Sequence, residues 1–243
     1  MAKFSNIEWT DATYNPWYGC TKVSPACDHC YAESLMDTRF GKVTWGGERR
    51  QSSLEVRRAP RLWNGAAVAA GRRRRVFTLS LGDFFDNRVP SAWRTEAWDT
   101  IRACQHLDWL ILTKRPQNVK KLLPPDWGIA GWPHVWLGVT VEDMVEARRR
   151  VPVLLGIPAR IHWLSCQPLL EPLTLSPWLG RGRIDWIVVG GETGSVYARP
   201  MHPAWARDLR EQCQTRGASF FLKQMARRAP IPVDLLVREW PTP

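Results

Sequence analysis

The sequence predicts an α/β fold, a parallel (β/α) barrel, complete or partial, of six to eight strands. Three observations carry this expectation. Short, mostly apolar runs recur along the chain, helix-type segments separate several of them, and each run is followed at once by polar residues. The length, 243 residues, suits a barrel of this kind. The reading places residues 1–243 in a single domain.

The runs are RVFTLS (75–80), DWLILT (108–113), VWLGVT (135–140), RIHWLS (160–165), DWIVVG (185–190) and SFFLK (219–223). They are rich in β-branched, aromatic and aliphatic residues without strict alternation, as strands covered on both faces are. Between them, Ala97, Trp98, Ile101 and Cys104 fall on one helical face. Trp205, Leu209 and Cys213 repeat the spacing, with Pro203 near the start and Gly217 past the end. Residues 142–150 and 27–40 are two further helix candidates. The polar, basic and glycine-bearing piece 41–71 is expected to be an insertion or a mobile loop.

Composition is ordinary for a globular chain, 44% apolar and 23% charged, apart from fifteen tryptophans that belong in or beside the core. No apolar h-region opens the sequence and no apolar run approaches membrane-spanning length. The expected setting is therefore the cytoplasm of a bacterium or a phage-infected host, with no membrane partner and thiols kept reduced. Net charge is +11, with arginine runs at Arg72–Arg75 and Arg148–Arg150. Such runs suit phosphate-rich partners, and equally suit a solvated surface.

The polar residues after the runs are Gly82-Asp83, Lys114-Arg115, Glu142, Cys166-Gln167, Gly191-Glu192 and Lys223-Gln224. In a parallel barrel these positions share the C-terminal rim, where barrel active sites are built. Asp83, Glu142 and Glu192 also leave open a metal-dependent hydrolase.

The loop 17–33, WYGCTKVSPACDHCYAE, carries Cys20, Cys27 and Cys30 in a C-x6-C-x2-C spacing. Three thiolates on a four-iron cluster leave one iron open to a cofactor, which makes three the useful number. Zinc on Cys27-x2-Cys30 is the rival reading, although no second metal-binding pair follows elsewhere. A zinc- or cluster-stabilised barrel that binds nucleic acid or protein without catalysis stays open too.

The stretch IEWTDATYNPWYGCTKVSPACDHCYA, Ile7 to Ala32, resembles a phage-associated three-cysteine family of poorly known function. The likeness continues through Gly82-Asp83-Phe84-Phe85, LTKRP (112–116), GVTVE (138–142), VGGETG (189–194) and Lys223-Gln224. Ala26 stands where that family usually has glycine, and Gln167 where it usually has glutamate. The three-cysteine loop also resembles the radical S-adenosylmethionine superfamily, with a longer first spacing than the common C-x3-C-x2-C.

The resemblance implies a 4Fe-4S cluster on Cys20, Cys27 and Cys30 with S-adenosylmethionine on the open iron. It further implies a flavodoxin-like or ferredoxin-like electron donor, and a nucleotide or a base of phage DNA or RNA as substrate. Ser80, Asp83, Lys114, Glu142, Gly190, Gly191 and Glu192 are then the expected cofactor contacts. Asp83 would accept from the methionyl ammonium, and Lys114 or Arg115 would meet its carboxylate. Arg115, Gln167, Lys223 and Gln224 are expected to face the substrate.

Overall fold

The structure is a computed structural model and describes residues 5, 7–193 and 197–242. The last glycine of the VGGETG motif, Gly194, lies outside the described residues. The elements open with β1 (Ala12–Tyr14), β2 (Trp17–Tyr18), a 3-10 turn (Pro25–Cys27), α1 (Tyr31–Glu33) and a π-helical stretch (Ser34–Arg39). They continue with β3 (Arg50–Gln51), α2 (Leu54–Ala69), β4 (Arg74–Thr78), α3 (Ser91–Ala103), β5 (Leu107–Thr113) and α4 (Pro116–Leu122). The second part holds β6 (Val135–Thr140), α5 (Met144–Leu155), β7 (Ile161–Cys166), β8 (Trp186–Gly190), α6 (Pro203–Arg216) and β9 (Ser219–Gln224). The fold is α/β, with seven parallel strands in the open order β1-β4-β5-β6-β7-β8-β9, a partial barrel.

The chain divides into two compact units. Unit 1 is Met1–Lys22, Ala32–Trp136 and Pro158–Arg160, and unit 2 is Val23–Tyr31, Leu137–Ile157 and Ile161–Pro243.

In unit 1, β1 pairs with β4 and β4 with β5, all parallel, so that Val76 stands beside both Ala12 and Trp109. β2 and β3 form a separate antiparallel ribbon. The helical stripe read from the sequence is the buried face of α3: Ala97, Trp98 and Ile101 are all buried, and Cys104 is buried at its end. Trp98 meets Phe84 edge-on at 4.7 Å and packs against Trp127 and Trp132, so several of the tryptophans form one aromatic cluster. The piece 41–71 departs from the loop expectation, because it contains β3 and the sixteen-residue α2. Its arginines and Gly65 obscure the pattern; Pro60 and Ala67 supply the buried positions.

In unit 2, β7, β8 and β9 pair in parallel. Gly138 is required by packing: a Cβ there would fall 2.4 Å from the buried Trp163 ring. Asp143 caps α5 by accepting from the Glu146 N–H at 2.8 Å. α6 follows its predicted punctuation, with Pro203 in the first turn and Gly217 in the left-handed region at φ +72°. The outer edge of β9 is covered by the C-terminal segment, where Leu222 N–H donates to Val237 O and Glu239 N–H to Phe220 O.

The candidate helix at 27–40 is broken into the 3-10 turn, α1 and the π-helical stretch. His134 and His162 hydrogen-bond the carbonyls of Ile101 and Ile157, as expected of structural histidines. Among the described residues no helix is long and apolar enough to cross a membrane.

Candidate functional site

The chemistry in unit 1 starts from the loop after β4, Gly82-Asp83-Phe84-Phe85-Asp86. Gly19 N–H donates to Leu81 O at 3.0 Å and Gly19 bridges Gly82, so the chain leading into Cys20 runs along this loop. Gly19 sits at φ +101°, a conformation that favours glycine. Asp83 is buried and saturated. Its Oδ1 accepts from the Thr113 hydroxyl at 2.7 Å and the Phe85 N–H at 2.9 Å. Its Oδ2 accepts from the Lys114 N–H at 3.0 Å and Arg115 Nη1 at 2.9 Å. The same guanidinium reaches the cysteine segment: Nη1 lies 3.4 Å from Cys20 Sγ, and Nη2 donates to Thr21 O at 2.9 Å.

A second arginine repeats the arrangement. Arg49 Nε donates to Asp86 Oδ2 at 2.7 Å, and its Nη2 donates to Thr21 Oγ1 at 2.7 Å. Cys20 and Thr21 are thus held by two buried Asp–Arg pairs. Burial pushes the Cys20 thiol up to about 11, Asp83 adds to the rise, and Arg115 opposes it. Ser80 belongs to a separate knot in which Asn15 Oδ1 accepts from the Ser80 and Leu81 N–H groups at 2.8 and 2.9 Å. Lys114 is half-buried, and among the described residues its ammonium has no ion-pair partner.

Unit 2 holds the other two thiols. Ser24 to Cys30 is a tight turn in which Cys27 N–H donates to Ser24 O at 2.8 Å and Asp28 N–H to Pro25 O at 3.2 Å. Cys27 is buried and Cys30 half-buried. Glu142, two positions past β6, accepts from the Ala26 N–H through Oε1 at 3.2 Å and from Arg150 Nη1 through Oε2 at 2.9 Å. Arg150 also donates to Thr140 O at 2.7 Å and meets Glu146 at 2.8 Å.

Glu192, after β8, is saturated like Asp83. Its Oε2 pairs with His29 Nδ1 at 2.9 Å and accepts from the Arg199 N–H at 2.8 Å. Its Oε1 accepts from Arg199 Nε at 3.0 Å and from Arg199 Nη2. Arg199 then extends to the turn itself, donating to Pro25 O at 2.8 Å and Asp28 Oδ2 at 3.2 Å. Burial works against the Glu192 carboxylate, but the hydrogen bonds from Arg199 and His29 hold it below the usual glutamate value.

Of the two glycines before Glu192, packing within the chain requires only Gly191. A Cβ on Gly190 would touch the Gln167 side chain at 3.2 Å, and one on Gly191 would lie 2.2 Å from Ala226 N. Gln224 donates to Gly191 O at 2.9 Å and Thr193 Oγ1 at 3.2 Å, Gln167 donates to Ser165 Oγ at 3.2 Å, and Lys223 is half-buried.

The structure therefore brings Asp83, Arg115 and Cys20 together in unit 1. In unit 2 it brings Glu142 and Glu192 to the Cys27–Cys30 turn. The acids that the resemblance assigns to a cofactor are bonded to the chain's own arginines. Sequence reasoning missed Asp86, Arg49, Arg150 and Arg199. Asp86 directly follows the Gly82–Phe85 motif, and Arg150 ends a run that suits a phosphate contact and a solvated surface equally; nothing local marks Arg49 or Arg199. The run Arg72–Arg75 leads into the N-terminal end of β4, the end away from the Asp83 loop, and Arg73 and Arg75 pair there with Asp108 and Asp11.

None of the six cysteines forms a disulfide. Among the described residues, no three His, Cys, Asp or Glu groups are gathered as a metal centre. A family model described as a protein of unknown function, DUF5131, matches residues 4–233. The chain belongs to the DUF5131 family. No curated protein and no solved structure matches it.

Proposed function

We propose that the chain is an iron–sulfur enzyme of the radical S-adenosylmethionine type, with Cys20, Cys27 and Cys30 as cluster ligands. One observation carries the reading. In each unit the cysteine segment is bonded to residues that stand two positions past parallel strands: Arg115 after β5 in unit 1, Glu142 after β6 and Glu192 after β8 in unit 2. The ends of parallel strands are where barrel enzymes carry their chemistry. The donor set fits a thiolate-held cluster by type, because the thiols are unbridged and sit on loops; it is not gathered into a finished cage.

When bound, the cluster and S-adenosylmethionine would supply one-electron cleavage chemistry. The chain's own contribution is to hold the ligand loops and to offer charge. Arg115 is committed to Asp83, Cys20 and Thr21, which leaves Lys114 as the better cation of that pair for the methionyl carboxylate. A metal-dependent hydrolase would have to draw Asp83, Glu142 and Glu192 away from the arginine that each neutralises. Zinc would have to use Nε2 of His29, because Nδ1 is held by Glu192.

A nucleotide or nucleobase substrate, the phage setting and an external electron donor complete the proposal. They rest on the net charge of +11 and on the family resemblance. Arg72–Arg75 would act as a distant phosphate contact, outside the catalytic rim. Binding to nucleic acid should then weaken steeply with salt, and salt-independent binding would remove this part.

Anaerobic purification, iron and sulfide analysis, and paramagnetic resonance with and without S-adenosylmethionine test the core of the proposal. The expected result is a cluster signal that shifts with the cofactor and vanishes in Cys27→Ala. A colourless protein with stoichiometric zinc would end it.

A further inference from the structure

We infer that Arg199 and Glu142 are positioning residues that fix the turn carrying Cys27 and Cys30 before any metal arrives, gripping its backbone at Pro25 and Ala26. Neither need touch a cofactor. The inference deepens the thiolate-ligand reading, and its test is made on the chain's own thiols and amides, so the two can fail separately.

The turn has little to hold it by itself. It is one 3-10 turn, Pro25 is exposed, and short 3-10 segments have weak internal hydrogen bonding. Two outside groups supply what it lacks. Glu142 accepts the Ala26 N–H, and Arg199 donates to Pro25 O and Asp28 Oδ2. Glu192 orients the Arg199 fork and also holds His29 from the other end of the turn. Arg150, itself anchored on Thr140 O and Glu146, orients Glu142.

The two side-chain bonds to the backbone of Pro25 and Ala26 are thus both charge-assisted, roughly twice as strong as neutral ones. A guanidinium fork can serve Glu192, Pro25 O and Asp28 at once; an ammonium cannot reproduce that geometry. Ligands fixed by such supports take up a metal with less ordering cost.

The test uses the full-length, reduced, chelator-washed protein and reads iodoacetamide alkylation of each cysteine by peptide mass spectrometry. Arg199→Ala should speed alkylation of Cys27 and Cys30 about tenfold, as loss of charge-assisted hydrogen bonds implies, and leave Cys20 and the buried Cys104 unchanged. Arg199→Lys should fall between. Unchanged rates at Cys27 and Cys30 would overturn the inference, and so would an equal rise at Cys20 and Cys104, which would mark general loosening. Exchange of the Ala26 amide gives a second reading. Glu142→Leu should accelerate it, while Glu142→Gln, which keeps an acceptor oxygen, should restore most of the protection; identical behaviour of the two would overturn the Glu142 half. A positive result in a protein that takes up no iron upholds the positioning role and removes the cluster proposal alone.

Discussion

The two units hold their cysteines with the same chemistry at different depths. In unit 1, Arg49–Asp86 and Arg115–Asp83 are both almost wholly shielded from water, with side chains at most 8% exposed. In unit 2, Glu142–Arg150 is equally deep, but Arg199 is 28% exposed against a buried Glu192. Removing one partner of a buried pair leaves an uncompensated charge, whereas an exposed partner is screened by solvent. Cys20 is therefore fixed by the fold of its unit. The Cys27–Cys30 turn is held at the back by a buried acid and at the front by an arginine that can be removed without dismantling the unit.

The largest effect expected from this difference is at Asp86. Asp86→Ala strands the Arg49 guanidinium in the interior and should cost about 3–5 kcal/mol in urea unfolding. The paired replacement Arg49→Met with Asp86→Leu should recover much of that loss, because no charge is left behind. If the single change costs under about 1 kcal/mol, the pair behaves as a surface bridge and the contrast between units disappears.

Glu142→Ala comes next. Arg150 keeps Glu146 at 2.8 Å and Thr140 O, so its charge stays compensated. The expected loss is about 2 kcal/mol, the scale of a hydrogen bond to a charged group. A cost above that of Asp86→Ala would reverse the ranking. Arg199→Ala should move global stability by about 1 kcal/mol or less, as partly exposed pairs do. Its effect belongs to the turn, so calorimetry should register little where thiol reactivity registers much.

These rankings depend on residues that the sequence displayed unequally. The six long parallel strands were legible because doubly covered strands are continuous apolar runs, and α3 and α6 because their faces and end residues agree. β1 was not, since three residues carry no period, and α2 was hidden by its arginines. In the site, the cysteines and strand-end acids were visible as chemistry at loops. Their partners were not, because an arginine's role is set by what it meets in space: Arg49 lies 37 residues from Asp86, and Arg199 reaches back to Pro25 across 174 positions. Gly190 and Gly191 show the converse. They were read as a ligand approach, and at Gly191 packing on the Ala226 backbone by itself already requires a glycine.

The smallest expected effect is also the most selective: the units should part on acidification. His134 in unit 1 and His162 in unit 2 both have pKa values lowered by burial. Their stabilisation is complete above the unfolded histidine value of about 6.5 and is lost as pH falls below it. With one in each unit, that loss is shared. The carboxyls differ in sign. Burial raises Asp108 in unit 1 despite Arg73, so its cost to the fold is relieved as pH falls through its raised folded value towards the unfolded value of about 3.9. Glu192 in unit 2 is lowered, so its contribution is full above about 4.3 and is lost as pH falls from there through its folded value. Protonated Glu192 lets go of Arg199, and Arg199 of Pro25. Amide protection, corrected for intrinsic exchange, should therefore fall at Ala26 and Asp28 below about pH 4.3 while strand amides such as Phe77 hold. Glu192→Gln should abolish that pH dependence, having no proton to gain. Parallel loss in both units, or a persistent acid transition in Glu192→Gln, would mean that the turn is released by something other than its glutamate.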